Sequence, residues 1–173
     1  MKLITQTRFI LSCIAVSVIP TAHADIVDRT FEVHMTVLKS CAVTAGSGSN
    51  IDLGAVAASY VNATSSNTIS VNCSKTTPYF IGLSPSVING GDSDGAGAMA
   101  AVGAPTNTDT IPYQLTTDGT TIWGNTATTT SVGNGVQGTG TGLAETYTVH
   151  ATAASANFTP GDYMDTVTVN VNY

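Results

Sequence analysis

Hydrophobic and polar positions alternate most strictly at the C-terminal end of the chain. From Asp165 onward, Val167, Val169, Val171 and Tyr173 share one parity; Thr166, Thr168, Asn170 and Asn172 share the other. A period of two is that of a β-strand with one buried face. This row is therefore expected to face a core. A second alternating stretch runs over 27–37. Val27, Phe31, Val33, Met35 and Val37 lie on one side, interrupted by Arg29, against Asp28, Thr30, Glu32, His34 and Thr36. It predicts another strand with one buried face. Shorter β-like pieces fall at 41–45, 51–54, 68–73, 79–83, 111–117, 121–124 and 145–152. Asp118-Gly119 is a hairpin turn signal and Pro160-Gly161 a turn. Residues 89–98 are expected to form a long flexible loop. Residues 125–142, rich in Thr and Gly without periodicity, read as a loop or weak edge. No segment has a convincing helical period. Many strands with frequent turns indicate an all-β sandwich or barrel.

Composition sharpens this picture. Charged residues are 9% of the 173, hydrophobic residues 42%. Such a chain is poor in the residues that surface helices favour and too low in charge for charge-driven disorder. The N-terminal stretch has the parts of an export signal. Lys2 and Arg8 precede an apolar run from Phe9 to Ile19, and Ala22-His23-Ala24 offers small residues for cleavage. Residues 1–24 are thus expected to be removed as a signal peptide. What remains carries three cations (Arg29, Lys39 and Lys75) against eleven acids, a balance of −8. No phosphate-neutralising surface can be built from that, so nucleic acid is excluded as a partner. Cys13 leaves with the signal. Cys41 and Cys73 then form an even pair in an oxidising compartment, with one possible connectivity. Closing the loop between them is worth roughly 3–4 kcal/mol.

The chemistry of a catalyst is hard to find. His34 sits on the polar side of the 27–37 stretch and His150 ends another strand; a lone strand His is usually structural or solvated. No nucleophile-elbow pattern occurs. Gly90 to Gly95 resembles a calcium loop only faintly, because an EF-hand needs Asp first and Glu twelfth, where Gly90 and Ala101 stand. No phosphate-cradling glycine spacing accompanies a Lys. The expectation is a non-enzyme without cofactor or metal. An alternating strand that nothing covers is an aggregation hazard, and strand addition between chains turns that hazard into a function.

At this point the residues carry a resemblance. The C-terminal run from Pro160 through Asp165-Thr-Val-Thr-Val-Asn-Val-Asn-Tyr173 resembles the closing signature of the spore coat protein U domain family. That family includes pilin subunits of archaic, Csu-type chaperone–usher pili. Cys41-Ala-Val, Ile51-Asp-Leu-Gly54, Ile69-Ser-Val-Asn-Cys73, Pro78-Tyr79 to Leu83, Met99, Pro112 to Asp118 and Trp123-Gly124 follow in the expected order. The resemblance spans 41–173. It implies an incomplete immunoglobulin-like sandwich lacking its last strand, completed by donor-strand exchange. A periplasmic chaperone lends a strand first; at the outer-membrane usher, the N-terminal segment of the next identical or related subunit replaces it. On that reading residues 25–40 are the donor segment, with Val27, Phe31, Val33, Met35 and Val37 as its inserting row. Residues 41–173 are then the pilin domain, with Val167, Val169, Val171 and Tyr173 bordering the groove and facing the chaperone. The implied role is a polymerising, non-enzymatic subunit of a surface pilus serving adhesion and biofilm formation. The alternative is a secreted, spore-coat-like structural protein.

Overall fold

The computed structural model describes residues 25–173, so the expected export signal lies outside the described residues. The chain divides into two compact units, Met1–Thr36 and Val37–Tyr173. In the described part of the first unit no residue enters a strand and every side chain is exposed. The strand expected over 27–37 therefore has no ladder among the described residues, and its side chains are exposed. The physical reason is that a strand is defined by its partner, and an apolar row buries only where another surface receives it.

The second unit is all-β. Nine strands follow one another: β1 (Cys41–Thr44), β2 (Val61–Cys73), β3 (Pro78–Pro85), β4 (Ala96–Ala101), β5 (Thr110–Thr116), β6 (Val136–Thr139), β7 (Ala144–Ser155), β8 (Tyr163–Met164) and β9 (Val167–Asn172). Helical structure among the described residues is limited to two 3₁₀ turns, Ser47–Ser49 and Val87–Asn89. Every strand pair is antiparallel. One sheet runs β1-β2-β7-β5-β4-β8 and the other β6-β3-β9.

The longest ladder joins β2 to β7, from Val61 opposite Ser155 to Asn72 opposite Ala144. Its length follows from alternation on both strands. On β7, Val149, Ala151 and Ala153 are buried and their neighbours are not; on β2, Ile69, Val71 and Cys73 do the same. The three-stranded sheet lays Tyr79, Ile81 and Leu83 of β3 over this face, each at most 1% exposed. Leu115 and Trp123 complete the centre, and the Trp123 indole N–H donates to the Ile81 carbonyl at 2.9 Å. Each fully buried aliphatic or aromatic side chain here contributes about 1.5–3 kcal/mol.

Several elements differ from expectation. β2 begins at Val61, well before residue 68, because its polar first half is held by β7 along its whole length. The 89–98 stretch is not a long flexible loop: it closes on itself and yields β4 at Ala96. There the Asp92 Oδ1 accepts from the backbone N–H groups of Asp94 and Ala96, and β4 pairs with β5. Within 125–142, β6 is a short edge strand beside β3. At Asp118 the expected turn is present: its carboxylate accepts from the N–H and hydroxyl groups of both Thr120 and Thr121, and Gly119 takes φ +88°. Cys41 and Cys73 are bonded, and they face each other across the β1–β2 ladder.

Candidate strand-docking groove

β9 is an edge strand. Its β3 side is paired from Phe80–Asn172 to Pro85–Val167, and its other side has no neighbouring strand among the described residues. The edge arises where the chain changes sheets. β8 pairs with β4 in the six-stranded sheet, and two residues later β9 joins the three-stranded one. Three strands over six leave part of the large sheet's inner face uncovered.

That gap is a groove. One stretch, of about 470 Å³, is floored by Ile69, Leu115, Val149 and Ala151 and walled by Val167 and Val169 of β9. A second, of about 700 Å³, is floored by Ala63, Ile111 and Ala153. Ile51, Leu53, Met99 and Tyr163 line both, so the two stretches are continuous. The alternation of β9 decides the chemistry of its wall: Val167, Val169 and Val171 pack against the core, while Thr168 is exposed. Tyr173 does not extend that row. It lies beyond the last strand residue, 43% exposed, because the β3 ladder ends at Asn172.

The crossover into β9 is fixed by polar contacts that the sequence did not reveal. The Tyr113 hydroxyl donates to Asp165 Oδ2 at 2.7 Å, and the Asn89 side-chain amide donates to Asp165 Oδ1 at 2.8 Å. Burial, followed by the bond to the Asp165 carboxylate, pushes the Tyr113 hydroxyl far above its ordinary range, so it stays protonated and donates to Asp165. Tyr163 donates to the Thr159 carbonyl at 2.6 Å and accepts from Asn107 at 2.9 Å, holding the rim of the second stretch. At the far end of the sandwich a third polar group lies between the sheets. Tyr79 on β3 donates to Glu145 Oε2 on β7 at 2.9 Å, and the hydroxyls of Tyr79 and Tyr147 are 2.7 Å apart. Gly138 of β6 stands opposite Tyr79 and makes room for this cluster, since a Cβ there would collide with the Tyr79 ring. Glu145 Oε1 is buried and has no partner.

Residues 27–37 carry an exposed apolar row. Phe31 is 87% exposed and Val33 86%; Val27, Met35 and Val37 are exposed as well. At the start of the second unit the linker is clamped. Ser74 Oγ accepts from the Ser40 N–H at 3.0 Å, and the Ser74 N–H donates to the Ser40 carbonyl at 2.9 Å. Of the histidines among the described residues, His34 contacts Glu32 at 2.8 Å in an exposed pair, and His150 faces outward opposite Ser66 and Thr116. Among the described residues no three His, Cys, Asp or Glu side chains are placed to hold a metal ion. No described helix is long and apolar enough to cross a membrane.

Comparisons with known proteins agree with an all-β domain. The family model of the Spore Coat Protein U domain matches residues 27–170. The chain belongs to this family. The match begins at Val27, so the N-terminal segment lies within the family's extent. A chain of the chaperone–tip adhesion subunit pre-assembly complex CsuC-CsuE, from the archaic chaperone-usher Csu pili of Acinetobacter baumannii, has a similar fold. The TM-score is 0.50 at 22% identity, over 80% of this chain and 41% of that one. This spore coat U domain therefore spans about two fifths of the length of the solved chain it matches. Comparison with curated proteins gives no match.

Proposed function

We propose that this spore coat U protein is a structural subunit of a chaperone–usher pilus and that copies join by strand donation. The observation that carries the reading is a complementary pair within one chain: an apolar groove beside an unpaired β9, and an exposed alternating segment with no ladder of its own. Residues 25–40 are the donor segment and 41–173 the receiving domain. Val27, Phe31, Val33, Met35 and Val37 of one copy fill the groove of another, with backbone bonds to the β9 edge. Before assembly a periplasmic chaperone covers the same groove, bordered by Val167, Val169 and Val171, and an outer-membrane usher directs the exchange. The mature protein then resides in a surface pilus supporting adhesion and biofilm formation. It has no catalytic task.

The deciding experiment deletes residues 27–37 and follows chaperone co-purification together with fibres by electron microscopy. The expected subunit still folds on its chaperone and forms no fibres. A deletion variant that is degraded without binding the chaperone assigns the segment to its own domain. One that still forms long fibres removes it from the joint. Either result overturns strand donation.

A further inference from the structure

We propose that Glu145 of one copy is the partner of Arg29 from the N-terminal segment of a second copy, and that this pair sets the register of the inserted strand. The inference rests on the strand-donation reading above and names contacts within it.

Two anomalies coincide. The inward row of β7 reads Glu145, Tyr147, Val149, Ala151, Ala153, with one charged member at its end. The inserting row of the N-terminal segment reads Arg29, Phe31, Val33, Met35, Val37, again with one charged member. Glu145 and Ala153 are eight positions apart, as are Arg29 and Val37. Strands rise about 3.3 Å per residue, so both rows span about 26 Å.

Direction decides which ends meet. β9 runs toward the Glu145 end: its last paired residue, Asn172, lies opposite Phe80, near the Tyr79 that bonds Glu145. A strand that pairs antiparallel with β9 therefore runs the other way, as β7 does. With Val37 over Ala153 at the wide stretch of the groove, Met35 falls over Ala151 and Val33 over Val149. Met35, the longest of these three side chains, meets the small Ala151 of β7. Arg29 then arrives at the level of Glu145. The open groove accounts for the levels of Val33 to Val37; β1 and β9 approach each other at the narrow end and part by one strand width to admit Phe31 and Arg29.

The chemistry at Glu145 is incomplete without such a visitor. Oε2 accepts from Tyr79, but Oε1 is buried with no donor. A buried carboxylate oxygen left unpaired is costly, and a guanidinium is the donor best shaped to satisfy both oxygens. Arg29 is equally costly in an apolar groove without an acceptor. Only one register removes both penalties; a shift by two residues one way sets Arg29 against Tyr147 and Val27 against the carboxylate, and a shift the other way sets Phe31 against the carboxylate and carries Arg29 past it.

The test compares fibres assembled from the full mature chain by their rate of dissociation in denaturant. Arg29→Gln and Glu145→Gln are each expected to speed dissociation about tenfold or more, the scale of a hydrogen bond to a charged group. The double variant should be no worse than either single one. Arg29→Glu should be at least tenfold worse than Arg29→Gln, because it places two carboxylates together, and Glu145→Gln in the same chain should recover most of that excess. Arg29→Glu and Arg29→Gln alter no residue of the receiving domain, so their difference is readable even where Glu145→Gln lowers subunit yield. Equal behaviour of wild type, Arg29→Gln and Arg29→Glu, or additive losses in the double variant, overturn the pairing. Phe31→Asp separates the two levels of the argument. Where Phe31→Asp blocks fibres and the Arg29 variants are silent, the pair alone is wrong; where Phe31→Asp assembles like wild type, strand donation falls and the pair with it.

Discussion

The Tyr113 hydroxyl and the Asp165 carboxylate, 2.7 Å apart, tie the middle of β5 to the crossover that delivers β9 to the second sheet. Asp165 also holds Asn89, so one carboxylate fastens three segments at the groove wall. Tyr113→Phe removes one of its donors while keeping the ring in place. It is expected to cost about 1–3 kcal/mol, read as a lower thermal midpoint. The fold should persist, because Asn89 still engages Asp165. An unchanged midpoint would show that the Tyr113 bond adds nothing to what Asn89 and β9 packing already supply.

The two faces of β9 should respond unequally. Val169 packs against the core and Thr168 is exposed on the other side. Val169→Asp buries an unpaired charge and should abolish stable subunit in periplasmic extracts. Thr168→Asp should change stability by no more than about 0.5 kcal/mol. Equal yields of the two variants would contradict the facing assignment.

The β5 turn should loosen in acid. The Asp118 carboxylate accepts from the N–H and hydroxyl groups of Thr121 and Thr120, and the backbone bond to Thr121 leads in holding it far below the ordinary carboxylate range. A carboxyl depressed in the folded state adds stability that is fully present above its unfolded value, about 4. That contribution is lost as the pH falls below about 4 toward the folded value. Amide exchange of Thr120 and Thr121, corrected for intrinsic rates, should therefore be more protected at neutral pH than in strong acid. Asp118→Ala should remove that difference.

How much of this was legible beforehand depends on what defined each element. β9 and the second half of β2 announce themselves because their inward residues are large and aliphatic, so period two survives in the sequence. β4 does not: Ala96-Gly-Ala-Met-Ala-Ala101 has almost no contrast, and its strand state comes from β5, where the Tyr113 ring packs over Gly97. β6 is equally bland, and Gly138 is there for the Tyr79 ring rather than for any local preference. The disulfide followed from counting cysteines once the signal was set aside. Asp165, Tyr113 and Glu145 could not be read from sequence, since their partners lie 52 to 76 positions away. One signal was visible in hindsight: Glu145 opens an otherwise apolar alternating row, as Arg29 interrupts another.

The clamp between Ser40 and Ser74 has a mechanical consequence. Tension applied through the N-terminal segment enters the domain at Ser40 and meets Cys41 one residue later. From there it crosses to Cys73 through a covalent bond and spreads into β2, the strand with the longest ladder among the described residues. The hydrogen bonds between β1 and β2 are thereby shielded from peeling one at a time. A reduced domain would carry the same load on four paired residues of β1, so in a fibre joined by strand donation the disulfide would serve as a tensile anchor.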